Sequence, residues 1–401
     1  MKAFITTIII LCSLNLGFSD DWPKWRGEDS SGISSETNIR TSWPKSGLKT
    51  VWKISLGSGY SGISVAKDRV FTIYGDSNYE NAVALNAKTG KVIWKKRLGY
   101  VFKNMFGDGP RSTPTVDGDR VYVISSNGDL QCLSTKNGRK YWGVNVLRKF
   151  AGENISWGMS GSPFIWKNLL FYNVGGKKGS IVALDKKNGR TRWVSGNFPA
   201  GYSTPITATV GGIFHVIMFT GNHVVGFTPD KGKILWKYKW VTDYNVNAAT
   251  PIFHDNHVFI SSGYRSGAAL IKLSANKKQI SAREMWTTNR MKNHFSSSIL
   301  HKDNIYGFHQ KRLKCMDFYT SQQKWIQGGF EKGSLLGVDG HMIILGEKGG
   351  LAIAELSPES YTQKGYMPLF RGTKCWTVPT LANGHLYVRN ETEMVCLDIK
   401  K

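Results

Sequence analysis

One spacing recurs along this chain: an apolar residue, a glycine five positions later and a tryptophan four positions after that. Leu85, Gly90 and Trp94 show it, as do Leu133, Gly138 and Trp142; Leu184, Gly189 and Trp193; and Phe227, Gly232 and Trp236. Each copy reads as strand, turn, strand. In Val83 to Trp94, Val83 and Leu85 alternate with small or polar neighbours, Asn86 to Gly90 forms the turn, and Val92 and Trp94 alternate again. The glycine falls where a left-handed backbone is needed and a Cβ would clash.

The later copies wear down. Met316, Ser321 and Trp325 keep the spacing but lose the glycine, and Leu273 to Trp286 is four residues longer, which predicts an extended loop. The copy near Leu356 lacks its tryptophan, with Tyr366 or Phe370 as substitutes, and the last copy stops at Ile399 as its turn should begin. A first half precedes each copy: Pro114 to Val123 with an Asp-Gly turn, and similar hairpins opening at Pro163, Pro205, Pro251 and Pro379. Proline is tolerated at the start of an innermost strand, where a missing N–H costs no ladder bond.

Four strands in roughly 40 to 50 residues is the size of a propeller blade. The truncated last unit leaves an unpaired edge, which is an aggregation hazard. The orphan strand around Trp52 supplies the missing partner, so that N-terminal strand and C-terminal blade pair and the ring closes. The expectation is an all-β, eight-bladed propeller of four-stranded antiparallel blades over residues 48–401, preceded by an arm over 20–47.

Residues 1–19 read as an export signal: Lys2, an apolar run from Ala3 to Leu16, then Gly17-Phe18-Ser19 before the cut. No later stretch is long and apolar enough to span a bilayer. An exported, periplasmic or secreted, monomeric protein is expected. The formal charge of +25 can favour anionic polymers or acidic partners. Its lysines are nonetheless spread over turns such as Lys186-Lys187, with no dense basic tract, so no specific nucleic-acid site is expected. Cys132, Cys315 and Cys396 share one repeat position, filled elsewhere by Ala84 and Ala183, and read as small buried fillers rather than metal ligands. In an oxidising compartment Cys375 and Cys396 are the pair that can meet within one blade.

The copy Ala183-Leu184-Asp185-Lys186-Lys187-Asn188-Gly189-Arg190-Thr191-Arg192-Trp193 resembles the repeat of the pyrroloquinoline-quinone-like β-propeller family. Trp22-Pro23-Lys24-Trp25-Arg26-Gly27 also resembles the start of secreted bacterial members. The resemblance implies that Trp52, Trp94, Trp142, Trp193, Trp236, Trp286 and Trp325 dock adjacent blades by stacking against a neighbour's turn. Any ligand site then falls where blades converge, on segments leading into the innermost strands: Tyr60, Arg111, Trp157, Tyr202, Asn247, His294 and Trp376. Arg111 offers a bidentate fork for carboxylate or phosphate, and the aromatic residues offer stacking faces. The alternative is a mutual plug of the channel.

Two functions follow from the resemblance. One is a non-catalytic binding scaffold for an extracytoplasmic protein or peptide, with no cofactor, similar in kind to the eight-bladed lipoprotein that assists outer-membrane β-barrel assembly. The other is a quinoprotein dehydrogenase holding pyrroloquinoline quinone and calcium. The chain lacks the adjacent cysteine pair and the long insertions common in such enzymes, and Asp108 in a glycine turn is the nearest acid to the mouth set. Sugar or polysaccharide binding is a third ligand class.

Overall fold

Eight sheets of antiparallel strands stand around a central channel, and in blades 1 to 6 the innermost strand comes first in sequence. The structure, a computed structural model, describes residues 21–401 apart from Lys278, so the export-signal segment lies outside the described residues. Blades 1 to 7 span 64–100, 115–145, 164–195, 206–239, 252–288, 299–327 and 334–368. Blade 8 takes three strands from 380–398 and its outermost strand from Lys49–Ser55, which pairs antiparallel with Glu393–Asp398. The ring therefore closes between the two ends of the chain as expected.

The repeat spacing has a local cause. In blade 1 the Asn86 side chain accepts from the backbone N–H groups of Lys88 and Thr89, each at 3.0 Å, which pins the turn, and Gly90 sits at φ 70°. The outer strand then carries a bulge between the residue opposite Leu85 and Trp94, so that Trp94 pairs with Ala84. The same register recurs: Trp142 opposite Cys132, Trp193 opposite Ala183, Trp236 opposite Gly226, Trp325 opposite Cys315 and Trp52 opposite Cys396. The cysteines are therefore among the small residues that face the indole across the ladder. Cys132, Cys315, Cys375 and Cys396 are all buried free thiols, so a Cys375–Cys396 bridge is not formed.

All seven repeat tryptophans lie in apolar clusters that span two neighbouring blades. Five of them donate the indole N–H to a carbonyl in the next blade's turn: Trp52 to Ala87 (2.8 Å), Trp94 to Thr135, Trp142 to Lys186 and Trp193 to Pro229 (3.0 Å each), and Trp325 to Ser357 (2.8 Å). A Cβ on Gly90, Gly138, Gly189 or Gly232 would stand 2.8, 2.8, 2.6 or 2.5 Å from the preceding blade's indole. Glycine is thus required twice at each turn, for its φ and for the ring lying on it. The two departures fall where the sequence repeat is worn. Trp236 faces the lengthened hairpin of blade 5 and bonds His215 of its own blade instead. Trp286 faces the blade 6 turn, where Ser321 replaces glycine at φ 59°, and its buried Nε1 has no hydrogen-bond partner among the described residues.

Blade 7 differs from expectation. Its register places Gly365, opposite Ile353, at the tryptophan position. Neither Tyr366, which is exposed, nor Phe370 stands there. The space over Gly365 is filled by Trp43 of the N-terminal arm, whose backbone N–H donates to Lys364 O at 3.2 Å.

The rest of the arm crosses the channel. Trp22 exchanges backbone hydrogen bonds with Val65 of blade 1 (2.8 and 2.9 Å), Pro23 O accepts from Val116 of blade 2, and Gly32 O accepts from Gly337 of blade 7. Ile33–Ser34 adds a parallel strand to the inner edge of blade 7. Arg26 is buried in the channel, its guanidinium donating to Ser30 O at 3.2 Å and to Ser298 O of blade 6 at 2.7 Å.

Candidate functional site

In every blade two connections emerge on the same face: the segment leading into the innermost strand, and the turn between the second and third strands. The lead-ins are stitched together by hydroxyl groups. Ser61 Oγ donates to Ser112 O (2.6 Å), Thr113 N to Ser162 Oγ (3.0 Å), Ser162 N to Thr204 Oγ1 (2.9 Å) and Ser203 Oγ to Ala249 O (3.1 Å). Such Ser and Thr residues hold the segments as a rim on which neighbouring side chains have defined directions.

Six of the seven expected residues, Tyr60, Arg111, Trp157, Tyr202, His294 and Trp376, line one cavity of about 210 Å³ at that rim. Asn247 does not, which corrects the expectation. It is fully buried; its amide donates to Thr220 O (2.8 Å) and Gly221 O (3.1 Å), and its Oδ1 accepts from Ser262 Oγ (2.7 Å). Its place in blade 5 is to join the turns of blades 4 and 5, while Val246 and Ala248 beside it line the cavity. The blade 7 lead-in contributes Lys332, which the sequence reading passed over.

Further lining comes from elsewhere. Tyr264 belongs to the second-to-third-strand turn of blade 5, Phe106 and Phe295 to the lead-ins of blades 2 and 6, and Trp25 to the arm. The indole N–H of Trp25 donates to Thr250 Oγ1 at 2.8 Å, so the arm supplies the floor of a cup rather than leaving an open channel. Around the wall the rings form a belt. Centroids lie 5.0 Å apart from Tyr60 to Trp376, 5.0 Å from Trp376 to Phe295, 5.9 Å from Phe295 to His294, 5.2 Å from His294 to Tyr264 and 6.0 Å from Tyr264 to Trp157. Trp157 then meets Tyr202 at 5.8 Å and Phe106 at 6.3 Å. These are spacings at which aromatic rings attract one another beyond simple burial.

Three carboxylates stand behind this belt, each engaged by the wall. Glu391 Oε1 lies 2.5 Å from the Tyr60 hydroxyl, which is also 2.8 Å from Phe106 O. Burial, then the hydrogen bond to Glu391, raises the Tyr60 pKa, so the phenol keeps its proton. Glu347 accepts from Trp376 Nε1 at 2.8 Å and from the Lys332 backbone N–H at 3.4 Å. Glu80, fully buried, accepts from the backbone N–H groups of Ser126 (2.8 Å) and Phe102 (3.3 Å), and burial raises its pKa. Glu347 and Glu391 come from second-to-third-strand turns, a class of segment the sequence reading did not collect. Asp108 pairs with Lys103 Nζ and accepts from Asn104 N, each at 2.9 Å, the arrangement of a turn former.

The cup itself is positive. Arg111 donates to Gly107 O at 2.8 Å and to Gly109 O, between the rings of Tyr60 (5.6 Å) and Phe102 (5.4 Å). Burial lowers its pKa, but an arginine remains charged at any ordinary pH. The His294 pKa falls to about 4, through burial first and Lys332 second, so its imidazole is neutral near pH 7. Among the described residues there is no group of three or more His, Cys, Asp and Glu placed to hold a metal ion. Among the described residues the donor set does not fit a calcium-bound quinone: the nearby carboxylates bond the wall, and none lines the cup.

Fold and site together define an eight-bladed β-propeller whose channel is closed by its own arm into a one-ended aromatic cup. Over residues 40–149 and 103–327 the chain matches the family described as outer membrane protein assembly factor BamB, and it belongs to that PQQ-like propeller family. It is 25% identical over 333 residues to the outer membrane protein assembly factor BamB of Moranella endobia, covering 75% of this chain and 78% of that one. It is 27% identical over 157 residues to the dehydrogenase subunit of a quinone alcohol dehydrogenase from Komagataeibacter europaeus, 36% of this chain. That match spans only 21% of the dehydrogenase subunit's length. Among solved structures, BamB from Moraxella catarrhalis superposes with a TM-score of 0.62 at 13% identity, covering 88% of this chain and 98% of that one. Quinohemoprotein alcohol dehydrogenase from Comamonas testosteroni gives 0.66 at 12% identity, covering 94% and 80%. At such identities the structures share the fold alone.

Proposed function

We propose that the chain is an exported, non-catalytic binding propeller that holds an extracytoplasmic protein partner at the aromatic cup. The observation that carries this reading is the cup's construction: all eight blades and the arm contribute to one concave, largely apolar site whose acids are engaged in holding its wall. A general base or a metal-ligating carboxylate would have to face the cavity. The family's described role in outer-membrane assembly, and the match to a BamB over three-quarters of both chains, favour a scaffold. The quinone-dependent alternative rests on a short match and on a donor set that does not suit the cofactor.

A photo-crosslinking side chain at Phe106, with an equivalent one at Gly118 on the opposite face, tests the reading in envelope extracts of the source cell. A discrete polypeptide adduct at position 106, absent at position 118 and lost in Trp157→Ala, is expected. Stoichiometric uptake of pyrroloquinoline quinone with calcium, accompanied by alcohol-dependent dye reduction, would overturn it.

A further inference from the structure

We propose that the cup receives an aromatic side chain flanked by a carboxylate on an extended segment of the partner, the ring entering between Trp157 and Trp376 and the carboxylate meeting Arg111 and Lys332. This rests on the protein-binding reading and names the chemistry that the same site selects.

The first observation is two cations that line the cup without a direct acidic contact, Glu80 and Asp108 acting on Arg111 only at longer range. Among the described residues neither Arg111 nor Lys332 has an acidic oxygen within ion-pair distance, although eight such pairs occur elsewhere, mostly on the surface. Arg111 uses two N–H groups on Gly107 and Gly109 carbonyls and retains three of its five donors. Two cations in an apolar cup attract an anion more strongly than the same cations in open water, because the surroundings screen them less.

The second is size. A cavity of about 210 Å³ accepts one or two rings, whereas a helix is roughly 10 Å across. An anchor inserted into a desolvated aromatic pocket is the usual energetic centre of a protein interface.

The third is the rim. Met105, Tyr244 and Val241 are 88%, 65% and 60% exposed on the connections into blades 2 and 5, beside the cup. Tyr244 lies 5.7 Å from Trp157, so the exposed rim reaches the cavity wall there. A free small anion would leave this rim in water, while a chain flanking an inserted ring would cover it. Sugar recognition needs carboxylate or amide acceptors for hydroxyl groups; here Glu347 and Glu391 bond the wall, and the Asn247 amide faces away.

The test uses the full exported chain and fluorescein-labelled ten-residue peptides of Gly and Ser carrying Phe-Asp, Phe-Lys or Ala-Asp at the centre, read by anisotropy. Phe-Asp is expected to bind at least about tenfold more tightly than either other peptide, a difference of about 1.4 kcal/mol. The preference over Phe-Lys should shrink with added salt and vanish in an Arg111→Gln, Lys332→Gln double variant. Equal affinity for Phe-Asp and Phe-Lys, or for Phe-Asp and Ala-Asp, overturns the proposal. A preference that survives the double variant also overturns it. Should the double variant fail to fold, the wild-type peptide ratios and their salt dependence decide alone. A polypeptide adduct at position 106 without any Phe-Asp preference would sink this inference and leave the scaffold reading standing. Loss of both would remove the scaffold reading as well.

Discussion

Trp43 lies over Gly365 so closely that a Cβ on Gly365 would stand 2.6 Å from both Cβ and Cγ of the indole side chain. Blade 7 has no tryptophan of its own at this register, and the arm lends one from more than three hundred residues away. The arm is therefore part of the ring's packing as well as the floor of the cup.

Removing that loan should show in stability. Trp43→Ala is expected to cost about 3 kcal/mol, within the range for deleting a buried aromatic side chain. Gly365→Ala should be comparably harmful because the Trp43 side chain leaves no room for the added methyl. Urea unfolding at neutral pH, read by far-ultraviolet circular dichroism, measures both. A loss below about 0.5 kcal/mol in each would show that the arm is dispensable.

The worn turn of blade 6 should be improvable. Ser321 holds φ 59° where the turns of blades 1 to 4 have glycine, so Ser321→Gly relieves a left-handed residue. A gain of up to about 1 kcal/mol is expected. Gly90→Ala should lose more than that, because it combines the same backbone strain with a 2.8 Å approach to Trp52. Opposite signs for the two substitutions are the outcome that matters.

Ring closure depends on a buried cation. Arg389 in blade 8 is wholly buried and donates to Ile73 O at 2.9 Å, Thr72 Oγ1 at 3.1 Å and Gly59 O at 3.1 Å in blade 1 and its lead-in. Burial lowers its pKa to about 9, yet it stays charged at pH 7. Arg389→Met strands several buried carbonyls at once, and a loss of at least about 3 kcal/mol follows. Hydrogen exchange should rise first in the outermost strands of blade 8, because its closure is what fails.

Acid should weaken the fold through His294. Its folded pKa of about 4 lies below the ordinary 6.5, so the unfolded chain binds the extra proton between these values. Its stabilising contribution is thus full above pH 6.5 and is lost as pH falls towards 4. His309, also lowered to about 4 chiefly by burial, acts with the same sign. With partial exposure discounted, His294 alone should contribute on the order of 1–2 kcal/mol across that window. His294→Gln should flatten the slope of stability against pH in this range, which unfolding titrations at pH 7.5 and 5 measure.

Much of the ring was legible from Leu85-Gly90-Trp94 and its copies, because in most blades the turn, bulge and indole obey local rules repeated with little change. Six mouth residues were legible for the same reason: they stand just before prolines and hydroxyl residues that mark the innermost strands. Asn247 occupied the right place in the pattern, but its short amide finds backbone carbonyls of the neighbouring turn before it can reach the cavity. Glu347, Glu391 and Tyr264 were missed because second-to-third-strand turns vary in length and carry no shared signature.

The deeper division is between local and long-range causes. The sequence by itself determined the number of blades, the strand register in those that keep the repeat and the need to close the ring with the N-terminal strand, since backbone conformation and side-chain alternation act within a few residues. Only the tertiary structure decided that Trp25 floors the cup, that Trp43 replaces the missing indole of blade 7, and that the carboxylates stand behind the aromatic belt while Arg111 and Lys332 form no ion pair among the described residues. These outcomes depend on which distant side chains meet across blades, where burial and hydrogen-bond demand act through space and leave no period along the chain.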